Sequence, residues 1–197
     1  MEYAKKGFTL IELLIVIGIL AVLATITVLV LNPAQLFAQA RDSQRISDLG
    51  SIRSAVSLYL TTVSSPDLAL TGLNCVDETT PNFWASVAGA SSSFTGATTQ
   101  HANTGRATDG TGWVPVNLGS TSGGSPLSAL PTDPSNDVTV GTALFYTYTC
   151  NQAMKTFEVN ANMESSRYSS GDDNVENSDG GDVDTVYEVG TDPGLDL

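Results

Sequence analysis

The sequence is poor in the residues on which most active sites are built. It holds one histidine, His101, and two cysteines, Cys75 and Cys150. His101 lies in a polar stretch without a second histidine or a nearby cysteine, so it reads as a surface residue and not as a ligand. No Cys-X-X-Cys occurs, which removes the usual redox and zinc signatures. No Ser/His/Asp, Cys/His or phosphate-loop constellation is present either, and an enzyme is not expected. Bases are scarce: 8 Lys and Arg stand against 21 Asp and Glu, a net charge of −13. That balance disfavours nucleic acid or an anionic membrane surface as the principal partner. The chain also has no Asn-X-Ser/Thr acceptor for N-linked sugar.

What the chain does have is one long apolar run over residues 8–31, in which Glu12 is the sole ionisable side chain. As a helix it would reach ~36 Å, enough to cross a ~30 Å hydrocarbon core. The run is too long for an ordinary secretory signal, which also places its cleavage site after the apolar core. A carboxylate inside such a span is costly and calls for a partner or a function. Lys5 and Lys6 before the span favour an N-in, C-out orientation.

Lys5-Lys6-Gly7-Phe8-Thr9-Leu10-Ile11-Glu12 resembles the class III leader junction of type IV prepilins and type II secretion pseudopilins. The resemblance implies cleavage between Gly7 and Phe8 by a prepilin peptidase, which also methylates the new N-terminal Phe8. It implies a single-pass anchor in the cytoplasmic membrane that later forms the core of an extracellular or periplasmic filament. The partners it implies are identical subunits in a helical homopolymer, an assembly platform and an ATPase. Glu12 would face the Phe8 ammonium of a neighbouring subunit, which supplies the partner that its burial demands.

The rest of the chain has room for one modest domain. Asn32-Pro33 predicts a kink or local break after the span. Beyond it Leu36, Phe37, Ala40, Leu49, Ile52, Val56, Tyr59, Leu60 and Val63 recur mostly at helical spacing, which predicts an amphipathic helix over 32–63 packed on a globular head. Pro66 should end it near 62–65. Residues 41–49 resemble the corresponding stretch of the same families. They read equally as a solvated face on which Arg41, Arg45 and Asp48 form weak surface pairs.

Residues 64–130 read as a long variable connection, with Phe83-Trp84 anchoring it to the head. Pro131-Thr132-Asp133-Pro134 resembles the Pro-X-Asp-Pro stretch of major pseudopilins and some bacterial pilins. Strands are expected at 143–150 and 156–163, joined by a turn at 151–155, and a last one near 187–192. The expected fold class is α+β and pilin-like: a long N-terminal helix packed on a small antiparallel sheet at about 142–192, with an acidic C-terminal loop. A head exported to an oxidising compartment allows Cys75 and Cys150 to pair, the alternative being two buried thiols. Carboxylates at Asp172, Asp173, Asp179, Asp182 and Asp184 crowd Gly-rich turns, a setting that suits Ca2+. Major pseudopilins bind calcium in a similarly placed loop. A solvated acidic loop without metal is the equal alternative, and no cofactor is required.

Overall fold

The computed structural model describes residues 7–69, 75, 82–94, 99–101, 103–139 and 143–197. Lys5, Lys6 and the rest of the leader before Gly7 lie outside them. The chain divides into two compact units, Met1–Phe37 and Ala38–Leu197.

In the first unit, Leu10–Leu31 forms helix α1, with Thr9 as N-cap in extended backbone (φ −79°, ψ 153°). Apolar side chains surround this helix, and none of its residues is buried. A helix apolar all round is suited to surroundings as apolar as itself. Its hydroxyls are satisfied locally: Thr25 Oγ1 donates to the Ala21 carbonyl at 2.9 Å and Thr27 Oγ1 to that of Leu23 at 2.8 Å. Lipid offers no such partners. Asn32 closes α1 in the left-handed region (φ 41°), which asparagine tolerates better than most residues. Pro33 then opens helix α2, Pro33–Thr62. Proline has no N–H to lose at a first helical position. The break expected near Asn32 is thus a cap and a restart.

In the second unit, the buried positions of α2 are Ala38, Asp42, Arg45, Leu49, Ile52, Val56 and Tyr59, with Ala55 beside them. They advance by alternating steps of four and three, the spacing that keeps one helix face inward. The stripe differs from expectation at its start. Leu36 and Phe37 are exposed because they belong to the first unit, which among the described residues has no sheet, and Ala40 falls off the buried face. At the other end the Tyr59 hydroxyl accepts from Asp67 N at 2.8 Å and donates to Asp67 O at 3.1 Å, fixing the exit of the chain.

Among the described residues the sheet has five strands, in the order β2-β1-β3-β4-β5. They are β1 Asn82–Ala85, β2 Thr99–Gln100, β3 Tyr146–Asn151, β4 Thr156–Ala161 and β5 Tyr187–Gly190. The β3–β4 hairpin and β5 match the strands expected from alternation. Two corrections are needed. The sheet is mixed, because β1 and β2 pair in parallel, and β1 and β2 come from the segment read as a connecting loop. The cause lies in Phe83 and Trp84: the two rings enter different apolar clusters, and successive residues reach opposite faces only from extended backbone.

One sheet face, carrying Trp84, Tyr146, Tyr148, Phe157, Val159 and Val189, packs on Leu49, Ile52, Val56 and Tyr59 of α2. Full burial of each such side chain contributes ~1.5–3 kcal/mol. Cys75 and Cys150, both buried in this core, join in a disulfide with a Cα–Cα distance of 4.9 Å across 75 positions of chain. Closing so long a loop stabilises the fold by ~4 kcal/mol in the chain-entropy account. The irregular region after β2 is packed as well. Trp113 is fully buried and donates Nε1–H to the Pro131 carbonyl at 2.9 Å.

Candidate functional site

Residues 7–12 hold the first candidate constellation. Gly7 and Phe8 precede the helix, and the Phe8 side chain is 88% exposed. Thr9 and Glu12 form a reciprocal capping box. Glu12 Oε2 accepts from both the Thr9 amide and Thr9 Oγ1 at 2.8 Å, while Glu12 N donates back to Thr9 Oγ1 at 3.3 Å. The carboxylate therefore has two donors inside its own chain. The resemblance to prepilins implies a partner in a neighbouring subunit and does not point to Thr9. The signal was available, since Thr-X-X-Glu before an apolar run is a capping-box pattern.

The second constellation is a buried ionic pin in the head. Arg45 and Asp42 are both 0% exposed, so the surface-pair reading of Arg45 is corrected. Arg45 donates Nε–H to Asp133 Oδ2 at 2.6 Å and Nη2–H to Oδ1 at 2.9 Å, and Nη1–H to Asp42 Oδ1 at 2.6 Å. Asp42 in turn accepts from the amides of Glu164 and Ser165 at 2.9 and 2.8 Å. Burial pulls the Arg45 pKa down, but the hydrogen bonds and charge of Asp133, with those of Asp42, outweigh it and hold it above its usual range. Arg41 pairs with Glu164 closer to the surface. Asp48 does not join this network and accepts from the Tyr146 hydroxyl at 2.9 Å. The physical reason is packing: α2 turns the 42 and 45 positions onto the Pro131–Pro134 turn and the chain after β4, where unpaired charge would be costly.

The acidic C-terminal segment is open, from its sequence, to two readings, a calcium loop or a solvated loop without metal. Asp172, Asp173, Asp182 and Asp184 are exposed, and Asp179 is half-buried. Asp173 pairs with Arg167 at 2.6 Å. Asp179 spends one oxygen on Gly181 N (3.0 Å) and the other on Glu188 N (2.7 Å). Among the described residues, no group of three or more His, Cys, Asp or Glu could hold a metal ion. As placed, these five side chains do not form a calcium site.

The buried carboxyls are others. Glu158, Glu176 and Glu188 are each at most 5% exposed, and none makes an ion pair among the described residues. Burial, opposed by the Met163 amide, pushes Glu176 up to about 7. Burial and the neighbouring Glu158 charge push Glu188 up to about 8. Glu158 is raised by burial as well. Glu158 and Glu188 stand on adjacent strands, β4 and β5, on the face away from α2. A cleft of about 460 Å3 beside them is lined by Arg53, Asp179, Tyr187, Glu188 and Asp192.

Comparison with known proteins places the N-terminal constellation. Residues 3–28 match the family model for the prokaryotic N-terminal methylation motif. The chain thus carries a prepilin-type leader of the kind found in type IV pilins and pseudopilins. No curated protein and no solved structure matches the chain.

Proposed function

We propose that this chain is a structural subunit of a type IV pilus-like filament, cut by prepilin peptidase after Gly7 and polymerised through α1. The observation that carries the reading is α1 itself: 22 apolar-lined residues with none buried, headed by a methylation motif. Lipid can cover that surface before assembly, and copies of the same helix can cover it afterwards. Glu12 is exposed in the first turn of α1, and in this reading exchange of its Thr9 donors for the N-terminal ammonium of a neighbour would accompany entry into the polymer. The head contributes no catalytic step in this account. Assembly would use the platform and ATPase of such systems, with the head outside the cytoplasm.

The alternative readings are a pseudopilin of a secretion or DNA-uptake system, and a minor pilin or tip adhesin; the Pro131-Thr132-Asp133-Pro134 segment is compatible with the first of these as well as with a pilin. The Asp133 of that segment is held by Arg45 in the head core. Calcium binding is a separable proposal for the acidic segment. It rests on the density of carboxylates on glycine-rich turns and needs them to leave the places they occupy here.

The test is an intact mass of the protein sheared from its native cells. A mature chain beginning at Phe8 with one added methyl group, in the sheared fraction, supports a surface filament. The same species confined to membranes and periplasm moves the pseudopilin reading ahead. A chain still carrying residues 1–7 in both fractions refutes processing and the filament with it.

A further inference from the structure

The segment after β5, residues 191–197, turns back onto β4 and β5. Thr191 N donates to the Phe157 carbonyl at 3.0 Å. Leu195 and Leu197 are buried, and Leu195 packs onto Gly190, where a Cβ would come within 3.0 Å of its Cδ2. This strap is not relaxed. Leu195 sits at φ 48°, in the left-handed region that a leucine enters only at a cost. Contacts elsewhere along the segment hold it down.

One of those contacts ends on a buried acid. Leu197 N donates to Glu158 Oε2 at 3.1 Å. Glu158 and Glu188 stand on adjacent strands and are 2% and 1% exposed. Asn160 Nδ2 donates to Glu158 Oε1 at 2.7 Å, and Val183 N to Glu188 Oε2 at 3.1 Å. Glu188 Oε1 is buried with no N–H or O–H donating to it, and the group that Glu188 can bond there is the Glu158 carboxyl. Two carboxyls form a hydrogen bond only when one of them keeps its proton. With that proton the pair carries one charge. Without it, two like charges lie side by side out of reach of water. The surroundings add to the repulsion. Asp179 and Asp182 act on the pair from the preceding turn, with Asp184 behind Asp179. The strap brings Asp192 and Asp196 and no base. Arg53 of α2 lines the same cleft as Glu188 and Asp192.

We propose that residues 191–197 form a pH-operated latch: a proton shared between Glu158 and Glu188 keeps the strap closed on β4 and β5, and loss of that proton to solvent opens it while the rest of the head stays folded. Opening takes Leu197 N off Glu158, lets water reach both carboxylates and carries Asp192 and Asp196 away from them. It also relieves the backbone at Leu195. The latch is independent of how the chain assembles.

The test is amide hydrogen exchange, read by mass spectrometry on the full chain in detergent from about pH 5 to about pH 9, and corrected for the intrinsic exchange rate. An opening that releases one proton grows by at most about tenfold per pH unit between the open and closed pKa values. Those values are the ordinary 4.5 and about 8. Protection of 191–197 should therefore fall by up to about tenfold per unit over that window and level off above it, while the β3–β4 hairpin keeps its protection. Glu188→Gln places an N–H where the shared proton was, and should make protection of the strap independent of pH. If that variant fails to fold, the wild-type profile decides alone. Strap and hairpin losing protection together is ordinary unfolding and overturns the latch. So does wild-type strap protection that stays constant with pH, or a pH dependence that Glu188→Gln leaves unchanged.

Discussion

Arg45 and Asp133 stand 88 positions apart in the chain and meet in two parallel hydrogen bonds. The fork joins α2 to a turn that has no regular structure of its own, and it is closed to water on both sides. Such a pair contributes little net stability against an apolar replacement, but removing one partner strands the other charge in the core. Asp133→Ala should therefore destabilise the head by about 3–5 kcal/mol in denaturant unfolding. Arg45→Lys should recover only part of the loss caused by Arg45→Ala, because an ammonium cannot reproduce the planar fork. By contrast, Arg41→Ala should cost less than ~1 kcal/mol, since its pair with Glu164 is partly solvated. Equal effects at Arg41 and Arg45 would refute the buried-pin account.

A second prediction follows from the carboxyls without counter-charges. Glu176 and Glu188 have folded pKa values of about 7 and 8, above the ordinary 4.5. The charges that raise Glu188 are Glu158 and Asp179, and those that raise Glu176 are Asp42 and Asp179; Arg53 lines the same cleft as Glu188. Over this window the folded head holds protons that the unfolded chain releases, so stability falls as pH rises. The contribution is complete below about 4.5 and is lost through about 8. Thermal unfolding at a series of pH values should show a declining midpoint across that window, and Glu188→Gln should flatten the decline. A midpoint that rises steadily over the same range would contradict the assignment of neutral carboxyls.

What could be read from the residues, and what could not, divides by range. Glu12 is conspicuous because it is the sole ionisable side chain in the run over 8–31, and the helix, the β3–β4 hairpin and the Cys75–Cys150 pair follow from local pattern and compartment. The role of Arg45 is hidden because a charged residue at helical spacing looks the same facing water or facing Asp133. Only the fold brings the Pro131–Pro134 turn to it. Glu158 and Asn160 alternate with Phe157, Val159 and Ala161, which reads as a half-solvated strand. In the fold both are buried, because the chain around Phe94 and the segment after β5 cover that second face. Strand β1 escaped for a compositional reason: its two aromatics sit in a Ser-, Thr- and Ala-rich stretch that reads as loop.

Calcium provides a third test, independent of the filament. Binding would have to gather Asp172, Asp173, Asp182 and Asp184 around Asp179, and would compete with the Arg167–Asp173 pair. If the segment takes calcium, the wild-type unfolding midpoint rises with calcium, and Asp182→Ala removes that rise while matching wild type in chelator. If midpoints in calcium and chelator coincide for the wild type, the segment is a solvated acidic loop.

The last prediction concerns the exchange at Glu12. In the lone chain its carboxylate is held by the Thr9 amide and hydroxyl, so in the proposed filament entry into the polymer would trade those donors for a neighbour's ammonium. Glu12→Ala removes the group that accepts the ammonium and should permit cleavage after Gly7 while filament yield collapses. Glu12→Gln keeps the shape but not the charge, and should impair yield nearly as much. Thr9→Val removes only the hydroxyl and leaves the amide donor in place. Its cleavage should proceed, and its filament yield should fall less than that of either Glu12 variant. The measurement is the mass of the processed chain together with the amount recovered by shearing, at matched expression. Normal yield from Glu12→Ala would remove the ammonium pairing altogether. Loss of yield in Thr9→Val equal to that in Glu12→Ala would instead place the essential contact in the capping box itself, with the carboxylate acting through the start of the helix.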